Sequence, residues 1–157
     1  MKKMILMGFT FAAMAMTSMT FSASLASDSV MVVDPYVRAV PPGQTVSAAF
    51  MQLANNSGVK RTIVSASSPV SKVAELHSHV QENGMMKMRR IESMEIPANE
   101  TTVLQPGGLH IMLIGLHEQL RLNQKVPLTL TFADGSSKSI EAPVRKIMMQ
   151  DVMKKHQ

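Results

Sequence analysis

The chain has 157 residues, 16 Lys plus Arg against 11 Asp plus Glu for a formal net charge of +5, 16 methionines and no cysteine. That length holds one domain and one core, since domains run to about 100–150 residues, and the mild charge with few aromatics argues against a nucleic-acid surface of basic patches and stacking rings. Without cysteine there can be no disulfide staple, no thiolate metal ligand and no lipid attached through a thiol.

In chain order, residues 1–26 read as a secretory signal peptide. Lys2 and Lys3 give a positive n-region, Met4 to Met16 an apolar h-region, and Ser24-Leu25-Ala26 a small-x-small cleavage site. An uncleaved anchor would want about 20 apolar residues, whereas Thr17, Ser18, Thr20, Ser22 and Ser24 interrupt this run. No later stretch is apolar enough to span a bilayer, so no stable membrane insertion is expected. Cleavage after Ala26 removes two lysines and lowers the formal charge to +3. Tyr36, Phe50 and Phe132 are then the only aromatic residues.

Residues 27–145 read as strands between turns. Candidate strands lie at 30–39, 46–54, 61–67, 72–80, 85–91, 101–105 and 109–116, separated by Pro41-Pro42-Gly43, Asn55-Asn56-Ser57-Gly58, Asn83-Gly84 and Pro106-Gly107-Gly108. Val126, Leu128, Leu130 and Phe132 then alternate with polar or small residues, the period-2 pattern of a half-buried strand. An Asp134-Gly135 turn leads to a partner through Ile140, Ala142 and Val144. No window shows helical periodicity, and many short strands with regular turns predict an all-β domain, an antiparallel β-sandwich or Greek-key barrel.

The stretch ELHSHVQENGMMKMRRI, 75–91, places histidines and methionines around Asn83-Gly84. A four-residue loop over 81–84 would set Val80 against Met85 and His77 against Met88. A two-residue type I′ turn would set His79 against Met88 and leave His77 diagonal. In both registers His77, His79, Met86 and Met88 share a face. Alone, the pattern is also what strand packing with methionine as filler would give. Further on, His110 and Met112 in PGGLHIMLIGL are one residue apart, on one face of a strand and about 6.6 Å apart along it. Ile111 and Leu113 point the other way. A buried imidazole there would need a partner.

Taken together the four residues read His77-x10-Met88-x21-His110-x-Met112. Here the chain resembles the periplasmic copper chaperones of the PCu(A)C family, whose signature is His-x10-Met-x21-His-x-Met. YVRAVPPGQTVSAAFMQLAN at 36–55, ENGMMKMR at 82–89 and VPLTLTF at 126–132 are similar to that family as well, so the likeness runs over about residues 34–145. It implies a cupredoxin-like β-sandwich in the periplasm that binds one Cu(I) through His77, Met88, His110 and Met112. The match favours His77, and with it the four-residue loop, over His79, which has no counterpart in the motif.

Ligand chemistry points the same way. Thioethers are soft donors that favour Cu(I) over Zn(II) and Cu(II), and unlike thiolates they form no disulfides in an oxidising compartment. The expected function is a monomeric Cu(I) carrier, not an enzyme. By resemblance it would serve the dinuclear copper centre of a respiratory cytochrome c oxidase, through a copper-accepting oxidase subunit or another periplasmic copper protein. A copper buffer without a dedicated client and a metal-free interaction module are the alternatives. A blue-copper electron carrier fails for want of a thiolate. No G-x-S-x-G or H-E-x-x-H motif supports a hydrolase. In the tail, 146–157, Met149, Met153 and His156 would share a face if it is helical, as a second copper site.

Overall fold

The computed structural model describes residues 24–147. The charged and apolar regions of the signal segment, and Met149, Met153 and His156 of the tail, lie outside the described residues. A single helical turn, α1 (Ala26–Ser29), precedes ten strands. These are β1 (Val30–Arg38), β2 (Val46–Asn55), β3 (Arg61–Ser67), β4 (Ser71–Glu82), β5 (Met85–Arg90), β6 (Met94–Ile96), β7 (Thr101–Leu104), β8 (His110–Leu116), β9 (Lys125–Phe132) and β10 (Ser137–Arg145). Among the described residues no helix is long and apolar enough to cross a membrane.

Period-2 patterning decides which side of each strand faces the core. Along β9, Val126, Leu128, Leu130 and Phe132 are buried while Lys125 and Pro127 are exposed, and each such side chain contributes about 1.5–3 kcal/mol when taken from water. Leu76, Ala49, Ile111, Leu113, Val37 and Val144 complete the same core from the neighbouring strands. The hydrogen-bonded order is β5-β4-β8-β2-β1-β10-β9-β3-β6, and β3 returns to β4 through Ala66 and Ala74, so that seven strands from β4 round to β3 close a barrel. The expected all-β class holds. Closure also brings the first and last strands side by side, so β1 and β10 pair in parallel, at Val37 with Val144 and Arg38 with Arg145, in an otherwise antiparallel sheet.

Two elements were not foreseen. β6 alternates buried Met94, exposed Glu95 and buried Ile96 against β3, a pattern only three residues long. α1 is held by side chains distant in sequence: Asp134 Oδ2 accepts from the Ala26 N–H at 2.7 Å and Ser136 Oγ from the Ser27 N–H at 3.1 Å. Ala26, the residue before the expected cut, is itself buried in the core.

The length of β4 positions the site. β4 pairs with β8 from Ser71 to His77, whereas its pairing with β5 runs from His77 to Glu82. The β4–β5 hairpin therefore extends past the last β4–β8 pair, and His77 stands at the junction.

Candidate metal centre

Asn83 and Gly84 both adopt positive φ, 53° and 77°. These are the values a two-residue type I′ turn demands, and its twist matches that of the flanking strands. Glu82 consequently pairs with Met85, Gln81 with Met86, His79 with Met88 and His77 with Arg90. The expected four-residue loop, with Val80 against Met85 and His77 against Met88, is corrected: the turn is two residues tighter and His79 faces Met88. His77 is the diagonal neighbour of Met88, still on its face. Glu82 braces the other face of the hairpin, 3.0 Å from Lys87 Nζ and 2.7 Å from Arg89 Nη2.

β8 carries the other half of the motif. His77 pairs directly with His110, and Glu75 with Met112. Residues paired across an antiparallel ladder share a face. His77, Met88, His110 and Met112 thus meet on one face of the β5-β4-β8 sheet, away from the side that buries Leu76, Ile111 and Leu113. Facing outward, His110 is nonetheless only 2% exposed. Phe50 covers it at a ring-centroid distance of 6.3 Å, Tyr36 backs Phe50 at 5.3 Å, and the Arg145 guanidinium lies 5.5 Å over Tyr36.

The imidazoles are oriented by hydrogen bonds, and in a neutral ring a bond donated by one nitrogen leaves the lone pair on the other. Gly108 O accepts from His110 Nδ1 at 3.0 Å, which leaves the His110 Nε2 lone pair available. Glu75 Oε2 accepts from His77 Nε2 at 2.9 Å. His77 Nδ1 is then buried with no hydrogen-bond partner. A buried nitrogen lone pair without a donor is costly, and a carboxylate fixing the opposite nitrogen is the arrangement that aims a histidine at a metal. Glu75 was not singled out in the sequence, although the Glu-x-His spacing places both side chains on one strand face. Its carboxyl is held below the usual range, first by the hydrogen bond from His77, against a smaller opposing effect of burial, and then by Arg90 at 3.4 Å.

The His77 and His110 ring centroids are 5.8 Å apart. Two imidazoles on one ion, with metal–nitrogen bonds near 2.0 Å, have centroids about 5 Å apart, close to the spacing of these rings. Among the described residues no three His, Cys, Asp or Glu side chains form a metal-binding group. Any ion held here would depend on the methionines, Met112 half-buried beside His110 and Met88 56% exposed on β5. The same face carries one more imidazole: His79 lies 5.2 Å from the His110 ring, its Nδ1 3.3 Å from Gly108 O.

Residues 30–144 match the LpqE-like family. The chain is 36% identical over 142 residues to a Leifsonia xyli subsp. xyli protein named "Putative lipoprotein Lxx21020", covering 90% of this chain and 84% of that one. Among solved structures it resembles DR1885 of Deinococcus radiodurans at 32% identity. The apo form superposes with a TM-score of 0.62 over 90% of this chain and 98% of that one, and the Cu(I) form with 0.64 over 78% and 83%. The copper-bound PCuAC domain of PmoF2, at 19% identity, shares the fold with a TM-score of 0.66, over 78% of this chain and 97% of that domain. The chain belongs to the LpqE-like family, which is of PCu(A)C type.

Proposed function

We propose that this chain is an exported, non-enzymatic Cu(I) carrier of the periplasm whose ligands are His77, Met88, His110 and Met112. The observation that carries the reading is His77 Nδ1, a buried lone pair with no partner, beside an imidazole whose Nε2 is free and two thioethers on one face. Neutral imidazole and thioether donors suit a soft monovalent ion and hold it without a thiolate, so a thiolate-bearing acceptor can withdraw it. The dinuclear copper centre of a respiratory oxidase is such an acceptor, and we take it as the client. The relatives' lipoprotein names fit export. The sequence itself has no cysteine to carry a lipid.

The test is anaerobic Cu(I) loading followed by competition with a chelator and X-ray absorption at the copper K-edge. One Cu(I) per chain with both sulfur and nitrogen neighbours is expected. Met88→Leu and Met112→Leu should each cost less than about 1.5 kcal/mol of stability, because Leu and Met have similar volumes, yet lower Cu(I) affinity sharply. Full affinity in both variants would remove the methionines from the site. For the client, loss of the protein under copper limitation should lower oxidase activity; unchanged activity would leave a copper buffer.

A further inference from the structure

A carrier must also release its ion, and the four donors above are unevenly accessible. His110 is 2% exposed and the His77 side chain 15%, so an acceptor ligand cannot reach copper from their side. The accessible donors are on β5, at the edge of the sheet, where Met86 and Met88 are 58% and 56% exposed. The two-residue turn places His79 directly opposite Met88 and Met86 one position further out on the same face. Directly opposed Cβ atoms lie about 4.5–5.5 Å apart, and diagonal neighbours remain within reach of long side chains. Gly108 O, 3.3 Å from His79 Nδ1, accepts its proton and leaves Nε2 as a free lone pair.

We propose that His79, Met86 and Met88 form a second, outer Cu(I) station on the projecting hairpin, through which the ion passes between the buried donors and an acceptor. This rests on the carrier reading. Met88 is common to both stations, opposite His79 and diagonal to His77. The ion keeps its bond to Met88 while His79 replaces His77 and Met86 replaces Met112. Two steps exchange one neutral donor for another and His110 dissociates without replacement, so the ion passes from four donors to three; copper remains Cu(I) throughout, and neither electron nor proton is transferred. His110, with no exposed surface to speak of, holds the ion only in the inner station.

The experiment follows Cu(I) release from the loaded full-length protein to bathocuproine disulfonate by stopped flow, with equilibrium affinity measured on the same samples. Two variants probe the outer donors, His79→Asn with Met86→Leu, and His79→Ala, with His77→Ala as the reference for loss of an inner donor. Asn places an N–H near the position of Nδ1 and keeps the bond to Gly108 O, but has nothing equivalent to Nε2. For the Asn/Leu variant, release should slow by about tenfold or more, one barrier increment of that factor, with the dissociation constant little changed. A third variant, His77→Ala with Met112→Leu, should retain weak Cu(I) capture that disappears when His79→Ala is added.

Release at the wild-type rate from the Asn/Leu variant overturns the outer station, as does a third variant whose residual capture is indifferent to His79. An equilibrium loss in His79→Ala as large as in His77→Ala overturns it too, because His79 would then belong to the resting site. Wild-type protein that captures no Cu(I) at all would instead overturn the carrier reading itself. Thermal melting of the apo variants checks that the hairpin still folds.

Discussion

Burial pushes the His110 imidazole below the ordinary histidine range; the Gly108 carbonyl opposes the shift, while the neighbouring His79, His77 and Arg38 add to it. The folded protein therefore favours neutral His110, the form with a lone pair to offer a metal. The unfolded chain takes up that proton near pH 6.5, the folded chain only at lower pH. In that window the unfolded state binds more protons, so the stability of the apo protein is fully present above about pH 6.5 and is lost progressively as pH drops from there toward the folded value. His110→Asn keeps a donor for Gly108 O but cannot titrate. Its stability, measured by denaturant unfolding between pH 8 and 5, should fall less steeply with acid than the wild type's. Parallel curves for the two proteins would show that His110 does not carry this proton linkage. That His110 needed a partner could be read from a histidine within an apolar strand. Its partner, Gly108 O, lies only two residues away, but alternation does not say where a turn carbonyl points; the cover, Phe50 and Tyr36, comes from other strands.

At the scale of the element, the β4–β5 hairpin shows where sequence reading stops. Both strands and their shared His/Met face followed from alternation alone, which any register that keeps parity preserves. The register was set by something alternation does not encode, the positive φ of Asn83 and Gly84 together. Asn-Gly is the strongest short signal for a type I′ turn, but the motif spacing pulled the other way, toward opposing His77 and Met88. Spacing along a chain does not require direct opposition when a diagonal neighbour serves. Gly84 now becomes a test of how far the metal face depends on the turn. A Cβ at Gly84 would meet nothing within 4 Å, so Gly84→Ala costs only the left-handed conformation, about 1–2 kcal/mol. Gly58, also with open space around it but without positive φ, is the control. Gly84→Ala should lower stability and accelerate amide exchange in 79–88 while leaving the barrel protected, and should weaken Cu(I) binding less than loss of a ligand does. Equal effects of Gly84→Ala and Gly58→Ala would mean that the turn is not strained as described.

For the whole molecule, the fold was legible because a barrel needs little beyond period-2 strands of the right length and turn residues between them. Val126 to Phe132 alone announced a strand with one buried side. What alternation could not convey was order: the parallel β1–β10 closure and the division of the β2 edge between β7 and β8 arise from pairing between distant segments. The closed barrel, with no cysteine to reinforce it, gains from any ligand that binds only the folded state. At a free Cu(I) concentration of 100 times the dissociation constant, binding to one site adds about 2.7 kcal/mol. For a domain of this size that raises Tm by the order of 10 °C. Because two of the four proposed donors are thioethers and no His, Asp or Glu triad exists among the described residues, Zn(II) should give a much smaller rise. Removing Cu(I) with excess chelator should return Tm to the apo value, since the barrel core contains none of the four proposed donors. Calorimetric scans of apo, Cu(I)-loaded, Zn(II)-treated and chelator-treated protein decide this, and an equal shift with Zn(II) would show that the imidazoles, without the methionines, make the site.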